Sequence, residues 1–491
     1  MASGSIIDVW GWIRSLPPVN QWKTKDPHSL NICTSQEANQ SLNLLINKSS
    51  TSRFNFSIFA ESYIPIALWT SNSFQQKATD DGILDEETML QFFFNIISGV
   101  LKYGHNIKSP FRESAIQICD DFDVVFNVAF LNLVLLVCIY EVPSELRCKF
   151  VVALRMQLTS SSSKEASKQL MRVLGSNLEE LWMRSLNLGI TNWIIEVQDT
   201  FMSPSPLFSY ALSASRLWKV QLYCPIVAMS LEYPSSTLKD KRLQFSLNYQ
   251  QFESVIQLSY KLIFNENWID VMVNVDNIRC DINQLVSEDL MAKQGYGSEE
   301  KHFLSRICLQ LTPTLQSDIL SVSVNKSTEN PIHEIGLEKG FEGSLQPPTS
   351  MGLSVSASES ITMSLKPWRF EQSVYGDSTI LNWFLHDGAN GKEVFSCKPR
   401  KLALWSPRSW FRNRYTSAYR PFTRQGGVIF AGDEYGESVC WKVCEEAIGK
   451  TMEWEIRGRI WLTYWPNKRR NCHSETRRLE FRESLYLTIE K

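Results

Sequence analysis

The chain has 491 residues, 43% hydrophobic and 21% charged, with a formal net charge of −2. These proportions exclude a disordered polyelectrolyte and give ample material for a core. The charge is uneven. From Lys366 onward, 22 Lys/Arg stand against 15 Asp/Glu, a net of +7, which leaves −9 on the first 365 residues. Such asymmetry is one mark of an anionic partner. The eleven cysteines include no C-x-x-C pair, so no zinc ribbon or redox motif is signalled. Reduced thiols in a cytoplasmic or nuclear setting are the expectation.

Residues 1–30 form a segment rich in Trp and Pro, with no basic region before an apolar stretch, so no signal peptide is expected. Residues 31–205 read as an α-helical domain. In "LDEETMLQFFFNIISGVLKYG", Asp85 is a candidate N-cap and Gly104 a candidate C′ residue. Met89, Leu90, Phe93, Ile97, Val100 and Leu101 share one helical face. "DVVFNVAFLNLVLLVCIY", Asp123 to Tyr140, approaches membrane-spanning length. It contains Asn127 and Asn132 and has acidic flanks without basic ones, so a core helix is expected and no membrane span. Ser162/Glu165 and Ser176/Glu179 are capping-box pairs, and Gly175 separates the two helices they open.

"SPSP", Ser203 to Pro206, marks a joint, after which the period changes from 3.6 to 2. Residues 206–491 read as a large antiparallel β-sandwich or barrel-like domain, so the expected fold class is α+β with an N-terminal helical bundle. "RLQFSLNY" alternates through Leu243, Phe245, Leu247 and Tyr249 and predicts a strand. Ile256 to Leu262, Ile269 to Val275, Phe303 to Leu311 and Leu320 to Val324 alternate likewise. Two long loops, 325–352 and 406–427, interrupt the pattern.

The second loop holds a candidate anion- or peptide-binding set: Arg408, Arg412, Arg414, Tyr415, Tyr419, Arg420 and Arg424. Guanidinium forks bind carboxylate and phosphate bidentately, while aromatic anchors clamping a structural loop are the competing reading. In "TMEWEIRGRIWLTYW", Met452, Trp454, Ile456, Gly458, Ile460, Leu462 and Tyr464 form a core face. Arg457, Arg459, Trp461 and Trp465 lie on the other face and make a candidate surface. The returning segment, Arg477 to Ile489, predicts a hairpin, and one register sets Arg457 opposite Glu480, Glu455 opposite Arg482 and Arg459 opposite Arg478. Asp433, Glu434 and Glu437 between glycines match no hydrolase or EF-hand spacing and read as a turn. Cys440 and Cys444, four apart on a strand, stand too far apart to share a metal ion. No catalytic set, metal site or cofactor motif is found.

"WRFEQSVYGDSTILNWFLHD", "RYTSAYRPFTRQGGVIFAGDEYGESVCW" and "EWEIRGRIWLTYWPN", with the opening "DVWGWIRSLPPVNQW", resemble a plant-specific family of uncharacterised proteins. The resemblance is strongest over residues 366–491. It implies a land-plant protein and no activity, cofactor or site residue. The expectation is therefore a non-enzymatic interaction or scaffold protein with a protein partner and no nucleic acid. A binding protein enclosing a hydrophobic small molecule or lipid in the β domain is the alternative, and an enzyme the third reading.

Overall fold

The computed structural model describes residues 6–17, 21–22, 27–35, 40–48, 53–61, 65–75, 86–104, 121–198, 208–232, 238–294, 300–325, 333–339, 359–365, 368–385, 428–432, 435–464 and 473–490. Helix α1 (Val9–Arg14) is a short segment that Asp8 caps by accepting from Gly11 N. Strands β1 (His28–Thr34), β2 (Ser41–Lys48), β3 (Arg53–Glu61), β4 (Ile66–Thr70) and β5 (Phe74–Gln75) follow. They build an antiparallel sheet in the order β1-β2-β3-β4, with β5 also on β3. Only then come helices α2 (Glu86–Lys102), α3 (Phe122–Glu141), α4 (Ser144–Leu158) and α5 (Ser161–Val197).

This order overturns the expected N-terminal helical bundle. The physical reason lies in the pleat. Leu42, Leu44 and Ile46 on β2, and Phe54, Phe56, Ile58 and Ala60 on β3, recur at every second position and are all buried. That period of two belongs to strands with one covered face.

Helix α3 runs through the middle of this part, packed against α2, α4 and α5. By length and composition it could cross a membrane, yet 89% of its most apolar window is buried in the protein. Asn127 is satisfied within this apolar helix. It accepts from Trp10 N at 2.9 Å and donates to Asp8 Oδ1 at 3.1 Å. Helix α5 starts at Ser160, whose hydroxyl accepts from Ser163 N, so the cap sits two residues before the expected Ser162. At Gly175 the backbone leaves helical geometry, with φ +70° and ψ 166°. The expected break is there, and only glycine adopts such a conformation cheaply.

The remainder is mainly antiparallel sheet. In chain order come β6 (Phe208–Ala214), β7 (Leu217–Pro225), β8 (Ser230–Leu231), α6 (Lys241–Asn248), β9 (Gln250–Phe264), β10 (Trp268–Gln284) and α7 (Glu288–Gln294). Next are β11 (Phe303–Pro313), β12 (Ile319–Val324), β13 (His333–Lys339), β14 (Glu359–Leu365), β15 (Trp368–Tyr375) and β16 (Ser378–Leu385). The chain closes with β17 (Val428–Ala431), β18 (Ser438–Cys444), β19 (Thr451–Tyr464) and β20 (Glu475–Thr488). One seven-stranded sheet follows the order β12-β18-β10-β9-β7-β6, with β17 on β10. A six-stranded sheet follows β15-β16-β11-β19-β20-β8, and β13 pairs β14 separately.

The two larger sheets share one core. Trp218 of the first meets Trp454 of the second with ring centroids 5.5 Å apart, and Trp441 lies 6.0 Å from Trp454. The expected inner face of β19, Met452 through Tyr464, is buried throughout.

Three local expectations fail, the first being the loop 325–352, within which His333–Lys339 is a strand paired with β14. "RLQFSLNY" is helix α6, with Leu243 and Leu247 buried one turn apart. Asp240 decides this by accepting from Arg242 N at 3.0 Å and Leu243 N at 3.2 Å, an N-cap that four alternating residues do not reveal. On β12, an irregularity between Ile319 and Ser321 turns Leu320 outward, where it is 57% exposed, while Val322 and Val324 pack on the core.

Candidate interaction surface

Strands β19 and β20 form the expected hairpin in a register shifted by two residues. Gly458 faces Phe481, Arg457 faces Arg482 and Arg459 faces Glu480. Packing sets this register. A Cβ on Gly458 would lie 1.9 Å from Phe481 Cε1, so the ring covers the glycine. A buried aromatic laid over a glycine outweighs the modest gain of a cross-strand ion pair.

The like charges thus brought together are bridged. Glu455 accepts from Arg457 Nε and from Arg482 Nε. Arg478 pairs with Glu480 at 3.1 Å and with Glu232 at 3.2 Å. Arg457 and Arg482 keep 55% and 69% of their side chains exposed. Arg459 is exposed as well.

Trp461 differs from its neighbours on this face. It is 5% exposed, and the Arg306 guanidinium carbon stands 4.6 Å from its ring centroid. The same guanidinium lies 4.5 Å from the Phe384 ring, so β11 contributes a cation held between two aromatic faces. Cys308, also on β11, pairs with Arg459. Burial pushes its thiol above the ordinary range, and Arg306 and Arg459 pull the other way.

Of the sequence candidates, Arg457, Arg459 and Trp461 therefore lie on one face, the arginines open and the tryptophan covered. Trp465 and the loop set Arg408, Arg412, Arg414, Tyr415, Tyr419, Arg420 and Arg424 lie outside the described residues, as do Asp433 and Glu434. Arg478 and Arg482 reach this face from the expected hairpin, though opposite other partners than expected, and Arg306 is the member that sequence reasoning missed. Arg306 comes from a strand about 150 residues earlier, and no local pattern announces it.

A second polar cluster is buried where both large sheets end. Gln250 donates to Ser246 O at 3.0 Å and Glu300 O at 2.7 Å. Its Oε1 accepts from His302 N at 3.1 Å and lies 3.0 Å from His302 Nδ1. His302 Nε2 stands 2.8 Å from Glu475 Oε1, to which Arg477 Nε donates at 2.6 Å. His473 Nε2 is 3.3 Å from Glu475 Oε2, and Tyr464 donates to Glu300 Oε2 at 2.8 Å.

Burial alone would raise the Glu475 carboxyl, but Arg477 and the two histidines outweigh it and hold the group well below the carboxylate range. Burial lowers the His302 imidazole, and Glu475 offsets part of that. Ser246 enters the network through its backbone carbonyl. The cluster ties strand ends together. Among the described residues no group of three or more His, Cys, Asp or Glu is placed to hold a metal.

No protein-family model matches the sequence, and no curated protein matches it. Among solved structures, the NetB toxin of Clostridium perfringens in its membrane-inserted form is 9% identical over 57% of this chain and 92% of that one, with a TM-score of 0.18. A pore-forming protein is 10% identical over 57% and 94%, also at 0.18. Likeness at that level supports no statement about fold or activity.

Proposed function

We propose that the chain is a non-enzymatic interaction protein whose six-stranded sheet receives an acidic segment of a protein partner. One observation carries this reading. Arg457, Arg459 and Arg482 stand open on adjacent strands, opposed mainly by Glu455 and Glu480. Arg457 and Arg482 share Glu455, so the surface offers their remaining N–H groups, and the Arg459 fork, to further carboxylates. A sheet surface costs little ordering on binding, because its side chains stand on a preorganised backbone. The filled aromatic interior favours this reading over a lipid-holding barrel, since Trp218, Trp441 and Trp454 occupy its middle and touch one another.

The test is fluorescence anisotropy with a labelled glutamate-rich peptide. A lysine-rich peptide and a single-stranded oligonucleotide serve as comparisons. The glutamate peptide is expected to bind, more weakly as salt rises. Arg457→Ser, Arg459→Ser and Arg482→Ser together should weaken it about tenfold or more. Undiminished binding in the triple variant, or preference for the oligonucleotide, would overturn the reading.

A further inference from the structure

The register of β19 and β20 sets two arginines directly opposite each other, Arg457 and Arg482. Like charges placed so, with Cα atoms about 5 Å apart, destabilise a strand pair. Glu455 offsets part of this, since its two oxygens accept from Arg457 Nε and Arg482 Nε. Arg459 follows two positions after Arg457, about 7 Å along the same face. It stands opposite Glu480, yet Glu480 pairs with Arg478 at 3.1 Å. Among the described residues no carboxylate lies within ion-pair reach of Arg459.

The neighbouring strand brings no counter-charge. Across from Arg459, Arg457 and Glu455, β11 places Cys308, Gln310 and Thr312. Three exposed guanidiniums therefore face one carboxylate, which leaves a local charge of +2. A glutamate from a partner would bring one negative charge and two oxygens. A phosphate monoester brings about −1.5 to −2 at neutral pH and three acceptor oxygens. Guanidinium forks suit those oxygens.

We propose that Arg457, Arg459 and Arg482 together receive a phosphorylated serine or threonine within the acidic partner segment. This rests on the reading that the six-stranded sheet receives such a segment, and it names the group at the centre of the contact. A peptide suits the site better than a free anion. Arg457 and Arg482 keep 55% and 69% of their side chains exposed on an open sheet face, so they do not enclose an ion. Contacts made by the flanking residues of a peptide must supply the rest of the affinity.

Fluorescence anisotropy on the full chain at neutral pH tests this with three labelled peptides. They differ at one position among flanking glutamates, which is phosphoserine, glutamate or serine. The phosphoserine peptide is expected to bind about tenfold or more tightly than the glutamate peptide. Arg459→Ser and Arg482→Ser, with unchanged circular dichroism, should each remove most of that difference. Inorganic phosphate, and phosphatidylcholine vesicles containing phosphatidic acid, should compete more weakly than unlabelled phosphopeptide. Equal binding of the phosphoserine and glutamate peptides would overturn the inference and leave the acidic-segment reading standing, whereas binding of neither would overturn both. Competition by phosphate or vesicles as strong as by the phosphopeptide would overturn the assignment to a protein segment.

Discussion

At the residue scale, burial separates side chains that a linear reading places together. Trp454 and Trp461 sit on opposite faces of β19, yet both are buried, at 0% and 5% exposure. Trp454 fills the sandwich, and Trp461 lies under Arg306. Trp454→Ala should cost about 3–5 kcal/mol, and Trp461→Ala should fall in the same range. Urea unfolding of the two variants checks this, and tolerance at Trp461 would return it to the list of open binding residues. Glu475 gives a pH dependence of its own. Its folded-state carboxyl is depressed, so its stabilisation is present above the ordinary carboxylate range and lost as pH falls through the folded value. The lowered His302 imidazole acts in the same direction, since the unfolded chain takes up that proton more readily. Glu475→Gln weakens the charge-assisted bond to the half-buried Arg477, which keeps the Ile226 and Val227 carbonyls, and should cost about 1.5–3 kcal/mol at neutral pH. Because Glu475 also holds the His302 imidazole up, the comparison belongs in a His302→Gln background, where the urea midpoint should vary less with Glu475→Gln than without it below about pH 5. An unchanged acid slope would remove Glu475 from this role.

At the element scale, periodicity located the long strands and misjudged short or capped ones. Strands β9, β10, β11 and β19 are legible because alternation is sustained along them with one face buried. The core role of α3 was legible from its asparagines and acidic flanks. Strands β2 and β3 were not read, although their alternation is present, because the helices that follow dominated the segment. Helix α6 was misread because a cap, not a period, defines it. The hairpin register differs from the one that opposite charges point to, because the Gly458–Phe481 contact sets it. That contact is testable. Gly458→Ala should destabilise by about 1–3 kcal/mol, since the methyl meets the Phe481 ring. In the Phe481→Ala background the added methyl should cost much less, and a double-mutant cycle with no coupling would show that another feature sets the register.

At the scale of the whole molecule, a helix-and-sheet body rests on an aromatic-filled sandwich, and the sandwich presents arginines on the far sheet. The first arrangement is invisible in sequence, because Arg184–Glu253 and Lys168–Glu483 join residues about 70 and about 300 positions apart. The second was half visible, as Arg457 and Arg459 with the arginines of β20 in another register and without Arg306 from β11. Charge reversal probes that surface most directly. Calorimetric titration should compare the native chain with the variant Arg457→Glu, Arg459→Glu, Arg482→Glu, against glutamate-rich and lysine-rich peptides. The native sheet is predicted to take the glutamate peptide alone and the reversed sheet to lose it and gain the lysine peptide. Equal binding of the glutamate peptide by both proteins would contradict the assignment of this face.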